Sequence, residues 1–232
     1  MTAVKPMVAK RYWICSGCGQ RATAPACRNG WCSVPGRPLQ AVFSVGNYEG
    51  ALRSAIVAYK YRSDLRWAPV FGALLHGFLA HHAGWFEEYA VICPVPSFVG
   101  PGSRRDWGHV ELLCAELARL AGADWPVERL VVKSQETPPM SGRPRPARRE
   151  IAAKSLPSAL SPARREEVAG RRVLVVDDVC ASGGTLLAVA GVLRYAGACE
   201  VAALVLARAS WKPPNPKPAP VATGPSTRGP CP

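Results

Sequence analysis

The segment Val173–Thr185 constrains the fold of this chain more than any other part of the sequence. Four apolar residues, Val173–Val176, are followed by Asp177 and Asp178 and then by a turn of small and hydroxyl-bearing residues. This pattern predicts a buried strand that delivers two acids at its carboxyl end, with a helix starting at the turn. Unpaired backbone N–H groups and the helix macrodipole favour a phosphate group at such a place.

The turn itself has the composition of a phosphate site. Gly183 and Gly184 would let the backbone approach an anion closely, and Ser182 and Thr185 would add hydroxyl donors. Two carboxylates beside a phosphate would repel it. We therefore expect the two acids to bind sugar hydroxyls or a divalent cation.

Two other phosphate motifs are excluded by their spacing. A Walker A loop needs Gly-x4-Gly-Lys-Ser/Thr, and this turn has no lysine. A dinucleotide fingerprint needs Gly-x-Gly-x-x-Gly, which the run Ser182–Thr185 does not supply. The alternative without a ligand is an ordinary strand–turn–helix in which the acids cap the helix.

Residues 41–210 alternate between strand and helix patterns. Strands are predicted at Ala41–Val45, Ala90–Val95, Arg129–Val132, Arg172–Val176 and Glu200–Leu206. Helices are predicted at Gly50–Tyr61, Trp67–His82, Val110–Leu120 and Thr185–Tyr195. Unbroken apolar runs separated by helices indicate an α/β domain with a parallel sheet flanked by helices.

The two ends of the chain differ from this middle in composition. Residues 1–40 contain four of the nine cysteines and no sustained apolar period, so this segment needs a cross-link such as a bound metal to fold. Residues 211–232 contain eight prolines and almost no large apolar side chains, which predicts a disordered tail. We therefore predict three regions: a cysteine-rich module at 1–40, a main domain at 41–210 and the tail.

The clustered cysteines predict a metal site. Cys15, Cys18, Cys27 and Cys32 follow the pattern Cys-x2-Cys-x8-Cys-x4-Cys, with glycines available for tight turns. Four thiolates suit tetrahedral Zn²⁺ and leave no open coordination position, so the metal would be structural. The x4 spacing of the second pair is looser than usual, and free thiols remain the alternative.

Charge and hydropathy indicate which partners and which cell compartment to expect. Lys and Arg number 29 against 16 acids, a net charge of +13 that suits a phosphate-bearing partner, whether nucleotide or nucleic acid. No apolar run approaches the roughly 18 residues of a membrane helix. The first fourteen residues contain no apolar core before a small-residue cleavage site, so we expect no signal peptide. We expect a cytoplasmic protein without membrane insertion.

Val173–Thr185 resembles the PRPP-binding signature of type I phosphoribosyltransferases. The order of features along the chain also resembles the ComF family, phosphoribosyltransferase-like proteins associated with competence for DNA uptake. The matching features are the cysteine cluster, Ala58–Tyr61, Pro94–Ser97, the Arg-rich turn Arg104–His109, and Gln135 with the arginines from Arg143 to Arg149. The resemblance covers residues 13 to 209.

The ComF resemblance implies a type I phosphoribosyltransferase fold and transfer of ribose 5-phosphate from PRPP, with pyrophosphate leaving. Asp177 and Asp178 are the catalytic residues implied and would hold the ribose hydroxyls, and Mg²⁺ would shield the pyrophosphate. The remaining PRPP-binding residues implied are Ala181, Ser182, Gly183, Gly184, Thr185, Ser97, Arg104 and Arg105. The acceptor is not identified by the sequence, although a nucleobase is a candidate.

Three further expectations concern the rest of the chain. The stretch from Ser134 to Arg172 is long, proline-broken and rich in arginine, and it is a candidate lid over the pyrophosphate. A solvated basic loop and a nucleic-acid surface are the alternatives. None of the four histidines lies in a motif that indicates catalysis, and His76, His81 and His82 are expected on a helix face.

A second function remains open beside the enzyme. The Arg-rich turn has Asp106 and Gly108 where the family usually has Gly and Asn, and the chain has no recognisable motif for an acceptor base. These departures favour a non-catalytic protein that binds PRPP or a nucleotide and acts in DNA uptake through single-stranded DNA or DNA-uptake proteins.

Overall fold

The computed structural model describes residues 4–6, 13–15, 17–22, 27, 32, 34–101, 103, 107–138, 142–144, 147 and 150–210. The expectations for Arg104, Arg105 and the tail at 211–232 lie outside these residues. Among the described residues, no helix has the length and apolarity needed to cross a membrane.

The described elements alternate between strands and helices along the main domain. The strands are β1 (Val4–Pro6), β2 (Trp13–Cys15), β3 (Arg21–Ala22), β4 (Val42–Asn47), β5 (Val91–Pro94), β6 (Val131–Lys133), β7 (Leu160–Pro162), β8 (Arg172–Cys180) and β9 (Glu200–Arg208). The helices are α1 (Gly50–Tyr61), α2 (Trp67–His81), α3 (His109–Ala121), α4 (Leu156–Ala159) and α5 (Gly184–Tyr195), with a π-helical turn at Ile151–Ser155.

A four-stranded parallel sheet forms the centre of the protein. Its strand order is β4-β9-β8-β5, so the last described strand lies between two earlier ones. Val173–Val176 of β8 and Ala202–Ala207 of β9 are fully buried, as expected for strands covered by helices. The predicted α/β architecture with a parallel sheet and flanking helices is confirmed.

Helices α2 and α3 pack closely against each other beside this sheet. A Cβ atom added at Gly72 of α2 would lie 2.6 Å from the Cβ of Glu116 of α3, so only glycine permits this approach of the two helices. The buried side chains Phe71, Leu75 and Leu117 join the same hydrophobic core. This packing fixes α3, whose first residue, His109, lies at the functional site.

Two parts of the main domain differ from the sequence predictions. Strand β8 extends to Cys180 rather than Val176, because Val179 and Cys180 continue the parallel pairing with β9. Both acids therefore lie within the strand rather than after it. The stretch predicted as a long lid also contains regular structure: α4 leads into β7, which pairs antiparallel with β6. Its apolar residues Leu156 and Leu160 are buried, which anchors the segment.

Candidate functional site

The turn between β8 and α5 has the backbone expected of an anion site. Gly183 has a φ of +81°, a left-handed conformation that glycine adopts without steric cost, and α5 begins at the next residue. Residues 181–185 line a cavity of about 490 Å³, which we call the pocket. The first turn of α5 therefore directs its N-terminal end toward this cavity.

The pocket brings together most of the residues that the sequence predicted. Its lining includes Asp177, Asp178, Ala181, Ser182, Gly183, Gly184, Thr185 and Ser97. It also includes residues that the sequence did not assign to the site, among them Lys60, His109, Lys133, Tyr48, Tyr61 and Phe98. The β8–α5 turn, the acids and the turn after Pro96 thus share one cavity, although they are up to 88 positions apart in the chain.

Asp177 is the more accessible of the two acids. Its side chain belongs to a residue that is 8% exposed, and its Oδ1 accepts a hydrogen bond from the backbone N–H of Asp178 at 2.8 Å. Burial and the neighbouring charge of Asp178 raise the pKa of Asp177 well above its ordinary value. A cation or a hydrogen-bond donor arriving in the pocket would favour the ionised form.

Asp178 is engaged in a buried ion pair. Lys60 Nζ lies 2.8 Å from Asp178 Oδ2 and donates to Oδ1 at 2.9 Å, while His109 Nε2 lies 3.0 Å from Oδ2. Burial acts to raise the pKa of Asp178, but the charge of Lys60 and the contact with His109 outweigh burial and hold it below its ordinary value. The same acid and Asp177 raise the pKa of Lys60 against the effect of its own burial.

A second contact orders the group around Asp178. The hydroxyl of Tyr59 donates to the backbone carbonyl of His109 at 2.6 Å, which ties α1 to the start of α3. Burial raises the pKa of Tyr59, so its hydroxyl stays a donor at neutral pH. Lys60 and His109 lie within two of the segments that match the ComF order, but neither was predicted to act at the site. They stand 118 and 69 positions before Asp178, and no local spacing rule links such distant residues.

The turn after Pro96, expected to face pyrophosphate, is partly occupied by a carboxylate. The backbone N–H of Ser97 donates to Glu111 Oε1 at 2.8 Å. Glu111 Oε2 is buried and has no hydrogen-bond partner among the described residues. A negative charge therefore lies behind the wall of the pocket on which an anion was expected.

The described arginines of the predicted lid do not line the pocket. Arg164 pairs with Glu167, Arg171 with Glu128, and Arg172 with Glu88. The pocket wall from this segment consists instead of Glu136, Thr137, Pro138, Gly142, Leu156 and Leu160. These three guanidinium groups therefore do not form a lid over the site, because nearer acids hold them elsewhere.

The four clustered cysteines converge in space. All four Sγ atoms lie within 4.8 Å of one another, with Cys15–Cys32 at 3.8 Å and Cys18–Cys27 at 3.6 Å. A tetrahedral Zn²⁺ with bonds of about 2.3 Å requires sulfur atoms about 3.8 Å apart. The arrangement thus fits a four-thiolate metal site with no open position.

Known proteins resemble this chain in the same regions. The family model of the phosphoribosyl transferase domain matches residues 113–221, which contain both acids and the β8–α5 turn. The DNA utilization protein YhgH of Salmonella typhimurium is 27% identical over 206 residues, covering 87% of this chain and 86% of the relative. Residues 113–221 of this chain are thus similar to phosphoribosyl transferase domains, and most of its length is similar to a DNA utilization protein.

Two further similarities concern shorter parts of the chain. A stretch of 45 residues, 19% of the chain, is 56% identical to adenine phosphoribosyltransferase of Mycobacteroides abscessus and covers 25% of that enzyme. A solved hypoxanthine phosphoribosyltransferase from Staphylococcus aureus superposes with a TM-score of 0.38 at 9% identity, covering 60% of this chain and 62% of that one.

Proposed function

We propose that this protein is of the ComF type, that it binds PRPP with Mg²⁺, and that it transfers the ribose 5-phosphate unit to an acceptor with release of pyrophosphate. One observation carries the proposal: the β8–α5 turn and a buried acid pair open into the same cavity as the turn after Pro96. This arrangement offers separate positions for a phosphate, a sugar and a leaving group.

The 5′-phosphate is assigned to the backbone N–H groups and hydroxyls of residues 181–185. Anions are stabilised there by unpaired donors and by the macrodipole of α5. Asp177, the more accessible acid, is assigned to the ribose hydroxyls. Asp178 remains part of the ribose site, with its carboxylate oriented by Lys60 and His109. These two residues also place positive or hydrogen-bonding groups at the pocket wall.

The reaction breaks the bond between the ribose anomeric carbon and a pyrophosphate oxygen, and the bonding electrons leave with pyrophosphate. Positive charge then develops on the ribose ring before the acceptor forms the new bond. Two carboxylates at a buried position would stabilise that charge, and the walls of the pocket would exclude water. Mg²⁺, which binds proteins through one or two carboxylates and substrate phosphates, fits Asp177 together with PRPP oxygens and would offset the charge of the leaving group.

Calorimetric titration of PRPP with Mg²⁺ tests the binding step. We expect binding to the native protein, and weakening of at least about tenfold in Asp177→Asn, because the neutral amide loses the charge for the ribose and the cation. Asp124→Asn, at an exposed acid outside the pocket, is the matched control and should bind as the native protein does. Equal binding by Asp177→Asn, or none by the native protein, would refute the proposal.

Turnover requires a separate measurement. Pyrophosphate release should be followed with PRPP, Mg²⁺ and a panel of nucleobases, with Asp177→Asn as the inactive reference. Release that depends on one acceptor would identify the reaction. PRPP binding without release for any acceptor would favour the non-catalytic alternative.

The second candidate is an accessory protein of DNA uptake that keeps the PRPP site but does not catalyse transfer. The name of the relatives at 27–28% identity, DNA utilization protein, and the net charge of +13 favour it. Binding of single-stranded DNA should then fall steeply with salt and survive Asp177→Asn. The absence of salt-dependent DNA binding would exclude a direct DNA contact.

A further inference from the structure

Arg208 connects the cysteine cluster to the β8–α5 turn. It is the last residue of β9 and only 2% exposed. Its Nε donates to the carbonyl of Cys18 at 2.7 Å, and its Nη1 donates to the carbonyls of Cys180 at 2.5 Å and Ala181 at 2.6 Å. One buried guanidinium therefore holds a carbonyl from the cysteine cluster, the last carbonyl of β8 and the first carbonyl of the turn.

These bonds, together with the one from the backbone N–H of Ala209 to the carbonyl of Cys180 at 3.0 Å, set the direction of two peptide groups beside the pocket. In a trans peptide the C=O and the N–H point in opposite directions. Holding the carbonyls of Cys180 and Ala181 against Arg208 therefore turns the N–H groups of Ala181 and Ser182 away from Arg208. Ala181 and Ser182 line the pocket, whereas Arg208 does not.

The carbonyl of Cys18 is positioned by the cysteine turn. Within that turn, Gly19 N–H donates to the carbonyl of Cys15 at 2.8 Å, and Cys15 N–H donates to the carbonyl of Gln20 at 3.0 Å. A Cβ at Gly19 would lie 2.6 Å from the carbonyl oxygen of Val42, so the turn rests directly on β4. Metal bound by Cys15 and Cys18 would hold both ends of this turn in place.

We propose that Arg208 is a positioning residue for the phosphate-binding turn, and that metal binding at the four cysteines strengthens PRPP binding through it. The inference rests on the proposed function for the identity of the ligand, PRPP. The coupling between the two sites rests on the contacts of Arg208, which do not depend on that proposal. Loss of the metal frees the Cys18 carbonyl, Arg208 loses one of its acceptors, and the orientation of the two amides becomes less restricted. Because binding linkage is reciprocal, PRPP must also strengthen metal binding.

Hydrogen–deuterium exchange of the full chain tests the coupling without any ligand. Removing zinc from the native protein should speed exchange of the amides at residues 181–185 by about tenfold, an effect within the usual range of coupling between sites. Arg208→Lys keeps the charge but not the planar fork, so it should show the same fast exchange with zinc bound. Arg171→Lys is the matched control, because Arg171 donates to the carboxylate of Glu128 and to the carbonyl of Glu167, neither of which lines the pocket. It should leave these amides unchanged.

Calorimetric titration of PRPP with Mg²⁺ gives the second measurement. A chelator selective for zinc over magnesium should weaken PRPP binding about tenfold in the native protein and hardly at all in Arg208→Lys. Saturating PRPP should tighten zinc binding by the same factor. If neither zinc removal nor Arg208→Lys changes the exchange rate of the amides at 181–185, the inference is overturned, even if PRPP binds. Coupled exchange in a protein that does not bind PRPP sustains the role of Arg208 in ordering the turn and refutes the proposed function alone.

Discussion

Replacing Lys60 with methionine removes one partner of the buried ion pair while keeping most of the side-chain volume. Asp178 would then retain a charge at a position that is 2% exposed, with His109 Nε2 still 3.0 Å from its Oδ2. Breaking a buried pair costs roughly 3–5 kcal/mol. Because Lys60 is 17% exposed and His109 stays in contact, we expect the lower end, about 3 kcal/mol of lost unfolding free energy.

The effect should depend on pH in a defined way. The folded pKa of Asp178 is lowered, so its contribution to stability is complete above its unfolded pKa of about 4 and is lost as the pH falls through the folded value. The folded pKa of Lys60 is raised, so its contribution is complete below its unfolded pKa of about 10.4 and is lost as the pH rises through the folded value. The penalty of Lys60→Met should therefore be largest between these limits and shrink at lower pH.

Urea unfolding of native and variant proteins at pH 4 to 9 measures this penalty. Lys154→Met is the matched control, because Lys154 pairs with Glu150 at 3.2 Å on an exposed helical turn and should change stability by less than about 0.5 kcal/mol. The double variant Lys60→Met/Asp178→Asn should be more stable than Lys60→Met, since no uncompensated charge remains buried. A penalty below about 1 kcal/mol at pH 7, or none recovered by the double variant, would refute the electrostatic reasoning.

Three further outcomes are expected. Asp177→Asn should raise the free energy of unfolding of the ligand-free protein at pH 7. The reason is that each unit by which burial raises the pKa of Asp177 costs the ionised form about 1.4 kcal/mol. A lower free energy of unfolding for this variant in urea would contradict the prediction. Glu111→Gln should tighten binding of inorganic pyrophosphate about fivefold by removing a like charge behind Ser97, measured by calorimetry, and weaker binding would oppose it. Gly183→Ala should cost about 1–2 kcal/mol in unfolding because φ is +81° there, while Gly191→Ala within α5 should not destabilise.

The sequence predicted the sheet well because each of its strands is a local pattern. The apolar runs that form β5, β8 and β9 and the helical periods of α1 and α5 were all located within a few residues of their observed bounds. The extension of β8 through its two acids was not predicted, because pairing with β9 holds polar residues in a strand that propensity would end.

The candidate site likewise contains residues that a local pattern predicts and residues that it does not. The β8–α5 turn and its acids form one continuous segment, so composition and order were enough to identify it. Lys60 and Glu111 reach the site only when the chain folds, because each lies on a separate helix that is far from β8 in the sequence. The strand predicted at Arg129–Val132 corresponds to β6 within two residues, but its antiparallel partner β7 was missed because three residues are too short to show a period.

The position of β9 sets an order on assembly. Because β9 lies between β4 and β8, these two strands cannot complete their hydrogen bonding until the last described strand has been synthesised. An emerging chain that ends before residue 200 would expose one edge of β4 and one edge of β8, both largely apolar and prone to pair with other chains. Arg208 reaches the carbonyls of Cys18, Cys180 and Ala181 only when this insertion is complete. Chains that terminate upstream of β9 would therefore be degraded by proteases rather than fold into a less stable protein.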